Sequence, residues 1–183
     1  MKAKSIQGKS TEEIKVALEQ SMHDGFKPTL AIVFLSVKQN REAVTGILDQ
    51  KSIDVIGATS SGEFINGHQS EGEIAMILLD IKRENYSILF EDIVNKGLEE
   101  ATNHMIQSAF QKFKKPAFIL VTSWGSTDGK ILNGEGLVEV IEKVAGPDIS
   151  MFGGMAGDDV SFTGTFIFTK ENTTDFGMAA LLL

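Results

Sequence analysis

Gly57-Ala58-Thr59-Ser60-Ser61-Gly62-Glu63 and Gly153-Gly154-Met155-Ala156-Gly157-Asp158-Asp159 are two glycine-rich, acid-bearing stretches at matching places in two similar halves of the chain. In the first half an aliphatic run, 29–36, leads through a helical segment to 53–56, the first glycine stretch, and a second aliphatic run at 74–79. In the second half 116–123 leads through another helical segment to 149–152, the second glycine stretch, and 178–183. Self-similarity of this kind bears on the whole architecture, so it is weighed before any single element. It predicts an α/β fold of two tandem αβαββ-like repeats, about 10–92 and about 96–183, with pseudo-two-fold symmetry and one shared core. Two such turns facing each other would form a binding cleft.

Composition narrows the function. The chain of 183 residues has 17 Lys plus Arg against 25 Asp plus Glu, a net charge of −8, and no basic run beyond Lys114-Lys115. The field that attracts phosphate backbones is missing, which argues against nucleic acid as a partner. There is no cysteine, so disulfides, thiolate catalysis and cysteine-ligated zinc are excluded together. The amino terminus has no apolar signal core, and the longest apolar runs are roughly six residues against the ~20 of a membrane span. The expectation is a cytoplasmic single domain over 1–183 with no membrane partner, and no low-complexity linker divides it.

Ser10 and Glu13 read as a capping box ahead of Ile14, Ala17, Leu18 and Met22 at helical spacing, with Gly25 as the stop. Residues 29–36, preceded by Pro28, suit a strand covered on both faces. Ala43, Val44, Ile47 and Leu48 give a short helix, and 53–58 return to extended chain, a parallel crossover. Asn66-Gly67 favours a tight reversal before a strand at 72–81, and 86–92 reads as one more strand closing the first repeat. Leu98, Ala101, Met105, Ala109 and Phe113 line a helix over about 96–114 that Pro116 stops. Leu137, Val138, Ile141, Val144 and Ala145 mark the next, stopped by Gly146-Pro147. From Val160 the period is two, with Phe162, Gly164, Phe166 and Phe168 on one face and Ser161, Thr163, Thr165, Ile167 and Thr169 on the other. The chain closes on Leu181-Leu182-Leu183, which reads as an exposed apolar end and suggests that the natural protein continues.

At the first glycine stretch, backbone amides, three hydroxyls and a carboxylate stand at the end of an aliphatic strand, where open sheets bind ligands. Amides around Gly57, Gly62, Gly153, Gly154 and Gly157 would hold a ligand carboxylate. Thr59, Ser60 and Ser61 would orient it, and Glu63 or Asp158 would pair with an amino group. The bland alternative is a pair of polar turns whose glycines serve only positive φ angles. Asp158 and Asp159 are adjacent on extended chain and point apart, which disfavours a shared metal; no metal and no cofactor are expected. Trp124, the only tryptophan, sits in a polar loop at 123–129 and either closes over a ligand or caps the core. Gly134-Glu135-Gly136 has Glu139 where a dinucleotide fingerprint needs its third glycine. His23, His68 and His104 adjoin no nucleophile motif; a hydrolase using Ser60 or Ser61 with His68 lacks the nucleophile elbow, so no enzyme activity is expected.

The two stretches resemble the amino-terminal module of the FIST family, the F-box and intracellular signal transduction proteins. The family pattern Gly-Cys-Ser-Thr-x-Gly-Glu is matched by Gly57 to Glu63 with Ala58 at the cysteine, and Gly-Gly-x-Ala-Gly-Asp-Asp is matched in full by Gly153 to Asp159. The resemblance implies a sensory input domain for small ligands, amino acids among them, acting on a downstream signalling domain or protein, and a carboxy-terminal FIST module following it. Ala58 implies that no thiol chemistry is essential there. The alternative function is an interaction module that docks a partner through a sheet edge or its apolar carboxy-terminal strand.

Overall fold

The computed structural model describes residues 1–146 and 148–183; Pro147, half of the expected helix stop, lies outside the described residues. In chain order the first elements are β1 (Lys2–Gly8), α1 (Thr11–Ser21), β2 (Leu30–Ser36), α2 (Arg41–Gln50), β3 (Asp54–Ser60), β4 (Glu63–Ile65), β5 (His68–Ser70) and β6 (Ile74–Asp80). After a single 3-10 turn follow β7 (Ser87–Asp92), α3 (Leu98–Lys112), β8 (Ala117–Thr122), α4 (Gly134–Ala145), β9 (Ser150–Met155), β10 (Ile167–Thr169), β11 (Thr173–Thr174) and β12 (Gly177–Leu182).

The fold is mixed α/β. One sheet runs β1-β6-β2-β3-β10-β11, another β7-β12-β8-β9, and β4-β5 form a separate hairpin. Both large sheets are strung alike: the head strand pairs antiparallel with the last strand of its segment (β1 with β6, β7 with β12). That last strand pairs antiparallel with the next (β2, β8), which pairs parallel with the strand after its helix (β3, β9). The head strands differ from the sequence reading. β1 was missed because Lys2, Lys4 and Gln7 interrupt any apolar run, as suits an edge strand. Residues 86–92 do not close the first segment: β7 pairs with β12 and opens the second sheet.

Strand parity sorts the side chains into layers. Ala31, Val33 and Leu35 of β2 meet Ile14, Leu18, Val44 and Leu48 of α1 and α2. Phe118 and Leu120 of β8, with Met178, Ala180 and Leu182 of β12, meet Ala101, Met105, Leu137 and Ile141 of α3 and α4. The alternate residues, Leu30, Ile56, Ala58, Val121, Ala179 and Leu181, form a third cluster between the sheets. The order is helices, sheet, sheet, helices.

Local chemistry explains the boundaries. Ser10 Oγ accepts the Glu13 amide at 3.3 Å and the Glu13 carboxylate accepts the Lys9 amide at 2.8 Å, closing the start of α1. Asn66 and Gly67 take φ of 50° and 83°, the left-handed pair a two-residue hairpin needs. Of the three closing leucines only Leu183 is exposed. β12 lies between β7 and β8, Leu181 and Leu182 are fully buried, and Leu183 exchanges both backbone bonds with Ala117. The carboxy-terminal strand therefore offers no docking edge. The Phe-rich alternation also fails: β10 is only three residues, because Asp159, Val160, Phe162 and Gly164 take positive φ and break the extended chain. Phe162 is exposed while Thr165 and Thr169, on the supposed polar face, are buried.

Candidate functional site

The glycine stretches are strand ends that touch. The Gly157 amide donates to the Thr59 carbonyl at 2.9 Å, and the Asp159 amide donates to Ser61 Oγ at 3.1 Å. A Cβ on Gly157 would stand 2.3 Å from Ser61 Oγ and 2.8 Å from its nitrogen, so only glycine permits this approach. The Asp159 carboxylate accepts from Ser36 Oγ at 2.5 Å and lies 3.5 Å from Lys38 Nζ, tying the second stretch to the end of β2 as well.

Contact of this kind consumes groups that sequence reasoning assigned to a ligand. The Gly157 amide is taken, and Gly57 lies inside β3 with paired strands on both sides. A Cβ on Gly57 would meet the Phe168 ring at 2.4 Å, so that glycine makes room for packing instead of cradling an anion. Thr59 exchanges bonds with the Phe166 backbone, its amide donating at 2.8 Å and its Oγ1 accepting at 2.9 Å. Asp158 is buried within its own loop: its carboxylate accepts the Thr163 amide at 2.9 Å, and its carbonyl accepts from Ser161 Oγ at 2.6 Å. It braces its own loop and is not part of the lining of the cleft described next. Trp124 stands edge-on to Phe162, ring centres 6.2 Å apart, and its amide donates to Thr165 Oγ1 at 2.7 Å; it lines no wall of the cleft described next, which argues against a lid.

The sheets overlap only in part. Where β2 and β6 run beyond the second sheet, their inner faces are unopposed, and a cleft of about 850 Å³ opens between them and β8–β9. Phe34 (39% exposed) and Ile77 (43%) form one wall, and Phe152 (76%) and Met155 (40%) stand on the other. Thr59, Ser60, Ser61, Gly62 and Glu63 close one end in polar groups, and Gly153, Gly154 and Gly157 lie along the β9 side. The cleft thus gathers eight expected residues and leaves out Gly57, Trp124, Asp158 and Asp159. Its apolar walls were missed, because an aliphatic strand reads the same whether one face or both are covered.

Glu63 is the unusual group at the polar end. It is only 2% exposed, its Oε1 accepts from Ser60 Oγ at 2.7 Å, and its Oε2 accepts the Glu73 amide at 3.0 Å. Burial pushes its carboxyl above the ordinary range, the two hydrogen bonds pull the other way, and Asp159 and Glu73 add repulsion. No lysine, arginine or histidine pairs with it among the described residues. Ser60 Oγ therefore points at a carboxylate and Ser61 Oγ at the Asp159 amide, and no imidazole is among their partners. His68 lies on the exposed β4-β5 hairpin, 4.0 Å from Glu73. No cluster of three metal-ligating side chains occurs among the described residues.

The family model for the FIST N domain matches residues 29–183. No curated protein matches the chain. No helix among the described residues is long and apolar enough to cross a membrane.

Proposed function

This chain belongs to the FIST family of signal-transduction sensory domains, and on that premise we propose that it senses a small amphipathic amine, an amino acid with a large apolar side chain being the simplest candidate. The observation that carries the reading is a buried carboxylate without a cation, Glu63, at the polar end of an apolar cleft. An ammonium group docked there would relieve the repulsion from Asp159 and Glu73 and form charge-assisted bonds in a desolvated place. The apolar side chain would cover Phe34, Ile77 and Phe152. The cleft volume falls within the roughly 300–1,000 Å³ of small-molecule sites. Because its walls come from both sheets, occupancy would tie one to the other, which is how a downstream signalling partner would read it. The common strand order supports treating the sheets as a duplicated unit with pseudo-two-fold symmetry. Binding without turnover is the proposed activity.

Calorimetry with leucine, methionine, phenylalanine and their decarboxylated amines tests this. Saturable heat that Glu63→Gln abolishes supports it; no heat from any of them removes it.

A second reading, an interaction module, is favoured by β9. This edge strand has six residues and no charge, whereas β1 carries Lys2 and Lys4, β7 carries Glu91 and Asp92, and β11 is two residues long. Edges left uncharged invite an added strand. Ser150→Lys, at a β9 position outside the cleft lining, would weaken partner capture while leaving ligand heat measurable.

A further inference from the structure

The two large sheets are unequal, six strands against four, and the shortfall falls beside β9. β8 and β12 cover β3 and β10, whereas the cleft over β2, β6 and β1 is bordered on its other side by β9, the last strand of the smaller sheet. A fifth strand beside β9 would lie over the uncovered Phe34 and Ile77. The cleft is thus a slot with an apolar floor and one side made of backbone.

That side is free to bond. Ala117 and Leu183 exchange both backbone bonds, and the Ala156 amide donates to the Thr122 carbonyl at 2.7 Å. Bonding alternates along a strand, so Ser150, Phe152 and Gly154 face β8, while Met151, Gly153 and Met155 turn their amides and carbonyls to the open edge. No bond from another element reaches those three backbones among the described residues. Gly153 and Gly154 are exposed and carry no side chain to shield the row. Met151 packs with the core under α3 and α4, so by parity Phe152 and Gly154 face the cleft.

The slot takes a single extended segment and not a second copy of the chain. Identical strands pair antiparallel about a two-fold axis, which would set both larger sheets on the same side. β6 and β1 of each copy, which run beyond β9, would then claim the same space. Glu63 is the one charged residue of the lining among the described residues, so an acidic segment is disfavoured.

We propose that the cleft is a groove for an extended segment of a partner protein, which adds an antiparallel fifth strand to β9 and lays alternate apolar side chains on Phe34 and Ile77. Directly opposed residues of an antiparallel pair share a face. Partner residues bonded to Met151, Gly153 and Met155 therefore point their side chains away from the cleft, and the residues between them point theirs into it. The matching segment is about five residues long at about 3.4 Å each, with branched apolar residues at the alternate, unbonded positions and no acid. This deepens the interaction reading of β9 and rests on it; it needs no amine.

The test uses the wild-type protein with acetyl-Thr-Val-Thr-Val-Thr-amide and two variants of that peptide, N-methylated at the central threonine or at the first valine. The parent peptide should bind saturably and shift the Ile32 and Ile77 methyls. It should also slow amide exchange at Met151, Gly153 and Met155 by about tenfold at about nine-tenths occupancy. Methylation at the central threonine should weaken binding by about tenfold, since it removes one hydrogen bond and puts a methyl between the strands, and methylation at the valine by about twofold at most. No saturable binding, unchanged exchange at the three amides, or any other ranking of the two methylated peptides overturns the proposal. Protection of the amides with the Ile32 and Ile77 methyls unmoved keeps the edge reading and overturns the place over the cleft. A free protein that sediments as a dimer with those amides already protected gives the edge to a second copy and overturns the partner segment. The peptides carry no amine, so their failure leaves the amine reading standing, and silence from the amino acids leaves this one.

Discussion

Gly157→Ala is the substitution that probes the meeting of the two glycine stretches most sharply. Gly157 does not take a positive φ, so alanine meets no backbone strain there and the whole cost is contact. The new methyl would sit 2.3 Å from Ser61 Oγ and 2.8 Å from Ser61 N, and the nitrogen cannot swing away as a side chain can. Overpacking of this kind costs about 1–3 kcal/mol. Pushing the stretches apart also loosens the Gly157 to Thr59 and Asp159 to Ser61 bonds, each worth about 1 kcal/mol. The sum is about 3–5 kcal/mol, or a fall in melting temperature of about 6–20 °C for a chain of this length. Ser61→Ala alone should cost about 1 kcal/mol through the orphaned Asp159 amide. In the double variant the Oγ collision is gone, leaving the nitrogen of residue 61 at 2.8 Å and its Cβ at 3.1 Å, so the losses should fall short of additive by about 1 kcal/mol. Urea unfolding of all four proteins measures this. Strict additivity, or a Gly157→Ala protein that melts within about 1 °C of the wild type, would refute the contact.

Three further outcomes follow from single residues. Tyr86 is the only tyrosine; burial and its 2.6 Å bond to Asp54 push its phenol up to about 12. Its raised value means the stability it lends is intact below about pH 10, the unfolded value, and drains away as pH climbs toward the folded one. Near-ultraviolet absorbance should show one late tyrosinate transition, and an ordinary midpoint would contradict the buried bond. For Glu63, also raised, wild-type stability relative to Glu63→Gln should decline as pH rises from the unfolded glutamate value through the higher folded one; a pH-independent difference in melting temperature would contradict this. Gly46 lies inside α2 with open space where a Cβ would go, so Gly46→Ala should raise the melting temperature by about 1–4 °C. A lowered value would mean that α2 is not a helix at that point.

The helices and inner strands were legible because burial on one stripe or one face leaves a period in the sequence. α2 and α4 stand within a few residues of where Val44, Leu48, Leu137 and Ile141 put them. The closeness of the glycine stretches was also legible, but their chemistry was not. Glycine in a strand read as a ligand cradle, whereas Gly57 and Gly157 serve the close approach of Phe168 and Ser61. Whether a carbonyl from a remote strand will claim an amide cannot be seen locally, and Thr59 claims that of Gly157 across nearly a hundred positions of chain. The apolar walls escaped for a related reason. Phe34 and Ile77 sit in runs that look wholly buried, and their exposure depends on how far the opposite sheet extends. Leu181 and Leu182 misled in the opposite sense, since a chain end can lie at the centre of a sheet.

The central claim, that a small amphipathic amine lodges between the sheets beside Glu63, is tested most directly by methyl and amide spectra of the wild type titrated with phenylalanine and leucine. The account predicts saturable shifts at the Ile32, Ile77 and Met155 methyls together with the Ser60 to Glu63 amides, while Ile14 and Leu18 beneath α1 stay still. Spectra unchanged to saturation, or changes confined to residues away from the cleft, would contradict it.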